Sequence, residues 1–200
     1  MEILGLTVLL LAYWALRRQD QGRRIALLGR HLGRYQIEKH METLTQGYLR
    51  ALGESDPQRR EQVLQLLQAT EQTLTSQFSR FAQEFARADA AQTRTSKLAF
   101  SIPFADRLFA AATFDAREAL VIHARGIEAA ARNSAQAPSR DTAFTMSAEL
   151  FLMQHTCHWF CKSRSVASAR MLARHKTSHT QLVAAVAPET RAAYSALVGR

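Results

Sequence analysis

The chain has 200 residues, 47% of them hydrophobic and 22% charged, with a formal net charge of +9 and only eight Gly, four Pro and two Cys. That apolar fraction excludes a disordered chain, and two cysteines exclude a disulfide framework. Scarce Gly and Pro beside abundant Ala, Leu, Gln and Arg favour helix, and no stretch alternates apolar and polar residues well enough to predict a strand.

The chain opens on MEILGLTVLLLAYWALRR, in which no residue from Ile3 to Leu16 is charged. As a helix, Met1 to Leu16 covers about 24 Å at roughly 1.5 Å per residue, short against a hydrocarbon core of about 30 Å. A run of this length also suits an interfacial helix, a signal-peptide core or a buried helix. The flanks favour a retained anchor. Glu2, not a cation, precedes the run, and no small-residue cleavage site follows it. Tyr13 and Trp14 are residue types that settle at the membrane–water interface, and Arg17 and Arg18 mark the positive side of the exit. The expectation is a single-pass inner-membrane anchor over residues 1–18, N-terminus outside and body cytoplasmic.

The excess positive charge lies at the two ends of the chain. Residues 17–50 carry eight Lys/Arg against three Asp/Glu, and residues 157–200 carry seven against Glu189 alone. The stretch between, 51–156, balances eleven against twelve. A high pI raises nucleic-acid binding, but few aromatics interleave with the cations, as single-strand binding needs. Beside an anchor, attraction to anionic lipid headgroups explains the charge more directly. Tyr13, Trp14, Arg17, Arg18, Arg23 and Arg24 are the candidate membrane-interface residues.

Residues 19–52 predict a basic juxtamembrane helix that joins the bundle. Ile25, Leu28, Leu32 and Tyr35, then Ile37, Met41, Leu44 and Tyr48 after a shift in phase, recur at helical spacing. Gly29 and Gly33, four apart, would admit a second helix closely. The run Gly53-Glu54-Ser55-Asp56-Pro57 predicts a break, with Ser55 or Asp56 as N-cap and Pro57 in the first turn. Next comes a heptad-like stripe, Val63, Leu67, Thr70, Leu74, Phe78, Phe81, Phe85 and Ala88. It suits an intramolecular core, or a coiled-coil seam for self-association or a helical protein partner. A third helix is expected from Pro103 to Arg132, with Asp106 in its first turn. Asp141 would cap a fourth helix that is apolar on nearly every side from Phe144 to Trp159 and continues beyond Lys162 as a basic helix. Pro188 and Glu189 open a short terminal helix.

The expected fold is all-α: an antiparallel helical bundle of about four long helices, residues 53–200, behind a single N-terminal transmembrane helix. Short loops would return the second basic cluster, Arg164, Arg170, Arg174 and Lys176, to the surface holding Arg17, Arg18, Arg23 and Arg24.

One cluster carries soft-metal chemistry: His155, Cys157, His158 and Cys161. On a helix Cys157 and Cys161 share a face, as do His155 and His158, and imidazoles and thiolates are zinc or iron ligands. One helix rarely completes such a site, the other ligand source is His123, and neither a repeated Cys-x-x-Cys nor Cys-x-x-Cys-His is present. His175 and His179 form a weaker pair, with Lys176 where a zinc protease has Glu. No phosphate loop, dinucleotide fingerprint, nucleophile elbow or Glu-x-x-His pair occurs. The sequence therefore points to a non-enzymatic, cofactor-free membrane-anchored scaffold or accessory protein of a bacterial inner-membrane complex, working through protein and lipid-surface binding. A metal- or thiol-redox-sensing bundle is the alternative, and a nucleic-acid-binding protein at the membrane ranks third.

Overall fold

A computed structural model describes residues 2–104, 108–133 and 136–199, with side chains from residue 4 onward. Its first element, α1 (Glu2–Leu32), is one unbroken 31-residue helix. Residue 18 is therefore not a structural boundary: the apolar run and the basic stretch share one rod. The chain turns at Gly33 to Tyr35 and enters α2 (Ile37–Gly53), which buries Ile37, Met41, Leu44, Tyr48 and Ala51 at spacings of three and four. Asp56 caps α3 (Pro57–Phe85), accepting the Gln58 N–H at 2.9 Å, and Pro57 takes the first helical position.

The region after α3 departs from expectation. A single turn, α4 (Ala90–Thr93), leads into strand β1 (Arg94–Ser96), which pairs antiparallel with β2 (Thr113–Asp115) in the register Arg94↔Asp115, Thr95↔Phe114, Ser96↔Thr113. The third helix, α5 (Ala116–Ala131), thus starts well after Pro103, because Asp115 is its cap and accepts the Arg117 N–H. Asp106 lies outside the described residues. The fourth helix also divides. α6 (Ser139–Cys161) stops at Lys162, and α7 (Arg164–His175) restarts under Ser163, whose hydroxyl accepts the Val166 N–H. Asp141 sits in the first turn of α6 and does not cap it. α8 (His179–Ala185) opens with a Ser178–Gln181 capping box, and α9 (Pro188–Val198) begins at Pro188. Among the described residues the fold is helical apart from the small hairpin, in more and shorter helices than expected.

α6 is the central rod and touches α1, α2, α3, α5, α7 and α8. One side of it meets a core built from Leu44, Tyr48, Leu74, Phe78, Phe81, Phe85, Leu120 and Ile127; the other, which carries Trp159, meets Phe114, Met171, Leu182 and Tyr194. The heptad stripe of α3 closes the first core, with Leu67, Leu74, Phe78, Phe81 and Phe85 all buried. The chain's own helices cover these residues, so the stripe is intramolecular core. A Cβ added at Gly22 or Gly29 would meet nothing within 4 Å, and one at Gly33 only the Gly29 carbonyl, so among the described residues no second helix packs on these glycines.

No helix among the described residues is long and apolar enough to cross a membrane. The expected transmembrane helix is not supported: Glu2 and Arg17 bound the apolar run before it reaches spanning length.

Candidate functional site

The most unusual surface is the first half of α1. Leu4, Leu6, Val8, Leu9, Leu10 and Leu11 are each 58–71% exposed, and Trp14 is 56% exposed. These positions cover every side of the helix, so this is no amphipathic face awaiting one neighbour. It is an apolar rod projecting from the body over about 20 Å. Tyr13 ties it to the body, its hydroxyl donating to the Ser101 carbonyl at 2.9 Å. Just beyond, the Arg18 guanidinium lies 5.3 Å over the Trp14 ring.

The candidate interface residues divide at this collar. Trp14 and Arg18 are exposed, Tyr13 is 41% exposed, Arg17 is half-buried and Arg23 is exposed. Arg24 is turned inward, contrary to its expected place at the lipid surface. Its Nε pairs with Asp20 at 3.0 Å, its Nη1 donates to the Arg94 carbonyl, and it lies over the Phe160 ring. Arg24 thus joins α1, the hairpin and the end of α6. Lys162 supports the same joint by donating to Gln21 Oε1 at 3.1 Å. Arg164, from the second basic cluster, lies next to the connector after β1. It sits over Trp159, and the adjacent Ser165 bonds the Ala99 carbonyl through both its N–H and its hydroxyl. Arg170 lies in the neighbourhood of Cys161 and His158.

The soft-metal residues are not assembled. Cys157 and Cys161 are half-buried against the first core, Cys157 lying 3.9 Å from the Met153 sulfur. His155 faces the second core, where it stacks on His179 at 4.2 Å and contacts Ser168 Oγ at 3.1 Å. His158 faces the Arg170, Arg174 and His175 side of α7, and its pKa is lowered by burial. His175 contacts Gln154 Oε1 and the Phe151 ring, apart from the His155–His179 stack. Among the described residues no three His, Cys, Asp or Glu side chains converge to hold a metal. Burial raises both thiols, Cys161 to about 11, which disfavours the reactive thiolate form.

Two buried features escaped the sequence reading. His123, His155 and His179 gather around Thr156 and Tyr194. The Thr156 hydroxyl lies 2.8 Å from His123 Nε2 and 3.1 Å from the Leu152 carbonyl. Glu149 is fully buried, accepts the Ala187 N–H at 3.1 Å, and has its pKa pushed up to about 7 by burial. It fits because residue 126 is Gly: a Cβ there would collide with Thr190 Oγ1 and Glu149 Oε2. On the outer side of Gly126 and Thr190 lies a pocket of about 570 Å³, walled by Ile122, Ala129, Ala193 and their neighbours, with Arg125 among its lining residues. The one sequence signal was Glu149 itself, a lone carboxylate inside a helix apolar on every side.

No protein-family model, no curated protein and no solved structure matches this chain.

Proposed function

We propose that this protein is a membrane-docked helical scaffold or accessory subunit that acts by binding, with the first half of α1 seated in lipid and the body held at the basic, cytoplasmic face of a bacterial inner membrane. The observation that carries this reading is the rod of residues 4–16, apolar and exposed on every side. An exposed apolar surface of this kind marks an interaction site, and an apolar solvent covers a rod on all sides where a protein groove would cover one. The ends suit the interface: Tyr13 and Trp14 are amphipathic rings, and Arg17 and Arg18 follow them. The rod is short of about 30 Å, so it enters the bilayer from the basic side and crosses only where the bilayer thins around it.

Cell fractionation tests this. Full-length protein is expected in the membrane fraction, resistant to salt and alkaline carbonate, whereas a chain lacking residues 2–16 leaves the membrane with its helical circular dichroism intact. Full-length protein that stays in the supernatant overturns the reading.

A further inference from the structure

We propose that Leu98 and Phe100, at the tip of the connector after β1, form a second lipid-contacting element that enters the same interface as Tyr13 and Trp14, so that the body lies on the bilayer and does not stand off it on α1. The proposal rests on the membrane reading above and adds a surface that the sequence did not single out. Phe100 is 70% exposed and Leu98 38% exposed, while Ser101, next in the chain, is buried. The backbone on both sides of Phe100 is held. Ser165 binds the Ala99 carbonyl at 3.1 and 2.7 Å, and Tyr13 binds the Ser101 carbonyl at 2.9 Å. A large apolar ring displayed between two such fixed points is presented outward by the fold. The Tyr13 bond also sets its height, because it ties the connector to α1 at the level of the interfacial aromatics.

The charge around this tip names the occupant. The two segments that hold this tip are basic: on α1, Arg17 and Arg18 follow Tyr13 by four and five residues, and on α7, Arg164 immediately precedes the Ser165 that holds Ala99. Asp20, the next carboxylate along α1, is paired with Arg24. Apolar side chains held between segments whose guanidiniums pair with no described carboxylate complement an anionic lipid surface, where hydrocarbon lies under negative headgroups.

Depth measurement on the full chain tests the proposal. An environment-sensitive NBD fluorophore is attached to a cysteine introduced as Phe100→Cys, Leu9→Cys or Leu66→Cys, at neutral pH where Cys157 and Cys161 stay protonated. The vesicles are phosphatidylcholine with about 30% phosphatidylglycerol, carrying nitroxide-labelled lipid. Position 9 on the rod and position 100 are both expected to shift blue and lose about half of their emission to the nitroxide, position 66 on α3 neither. Quenching at 9 with water-like emission at 100 overturns this proposal and leaves the anchoring intact. Water-like emission at both positions overturns both. Equal quenching at 66 shows adsorption without orientation and also overturns the proposal.

Discussion

Glu149 and the buried histidines respond to pH in opposite senses. Burial lifts the Glu149 pKa from 4.5 to about 7, so the fold prefers its protonated form. The stability it contributes is complete below the unfolded value and is lost as pH rises toward 7, about 3 kcal/mol in all at roughly 1.4 kcal/mol per pH unit. His123 and His155 are pushed from 6.5 down to about 3 and about 2, because burial penalises the imidazolium and, for His155, because His179 stacks on it. Their folded pKa values lie below the unfolded one, so their stability is present above 6.5 and is lost as pH falls. Two histidines outweigh one carboxyl, so stability should decline by about 1.4 kcal/mol per pH unit below 6.5 from these groups alone. Urea unfolding across pH checks both limbs. Wild type should be most stable near neutrality. Glu149→Gln, which keeps the acceptor for the Ala187 N–H, should remove the carboxyl's opposing contribution and steepen the acid limb to about 2.7 kcal/mol per pH unit. A Glu149→Gln profile that matches wild type would mean Glu149 is already ionised in the fold.

At the scale of elements, the junction between β2 and α5 depends on Asp115. It caps α5 through the Arg117 N–H and pairs with the Arg117 guanidinium at 2.7 Å, while Arg117 Nη1 donates to the Ala88 carbonyl beyond α3. One carboxylate therefore starts a helix and, through its partner, ties the hairpin to α3. Asp115→Ala should cost about 2 kcal/mol, at the upper end for a helix cap, and Asp115→Asn clearly less because the cap survives. Urea midpoints would rank the two, with faster amide exchange in 94–96 and 113–115 for Ala. The elements that were legible in the sequence share a physical cause: a repeated local signal. Leu67, Leu74, Phe78, Phe81 and Phe85 mark the buried side of α3, and Asp56-Pro57 marks its start. The hairpin was not legible because Arg94-Thr95-Ser96 and Thr113-Phe114-Asp115 are too short to show a period of two, and each strand's partner is distant in the chain. The α6–α7 break was hidden for a related reason. A single serine, Ser163, interrupts a sequence that would otherwise continue as helix. Of the candidate site, the apolar rod and its aromatics were readable from composition, but the bond from Tyr13 to Ser101 spans 88 residues and no local pattern encodes it.

Across the whole molecule, the connector after β1 is bonded both to α1 and to the start of α7. The four-helix topology that would have returned the second basic cluster to α1 is not the one observed; Arg164 precedes Ser165, which bonds the same connector that Tyr13 holds at Ser101. Arg24, expected beside it in lipid, instead fastens α1 to the body. On the proposed membrane reading, the electrostatic share of docking falls on Arg17, Arg18 and Arg164, none of which pairs with a described carboxylate. Each basic residue near an anionic surface is worth about 1 kcal/mol, so three give about 3 kcal/mol, or roughly 100-fold in partition. Arg17→Gln with Arg18→Gln and Arg164→Gln should then lower the preference for phosphatidylglycerol-containing over pure phosphatidylcholine vesicles by about that factor at low salt. The apolar contribution, common to both vesicle types, cancels in the ratio. Arg24→Gln should behave differently, loosening the joint between α1 and α6 and lowering the melting temperature with little change in the ratio. Raising ionic strength shortens the screening length to about 8 Å at physiological salt and should erode the wild-type preference far more than that of the triple variant. Vesicle flotation at two salt concentrations measures all of these ratios, and a triple variant that keeps the wild-type ratio would show that hydrocarbon burial alone carries the docking.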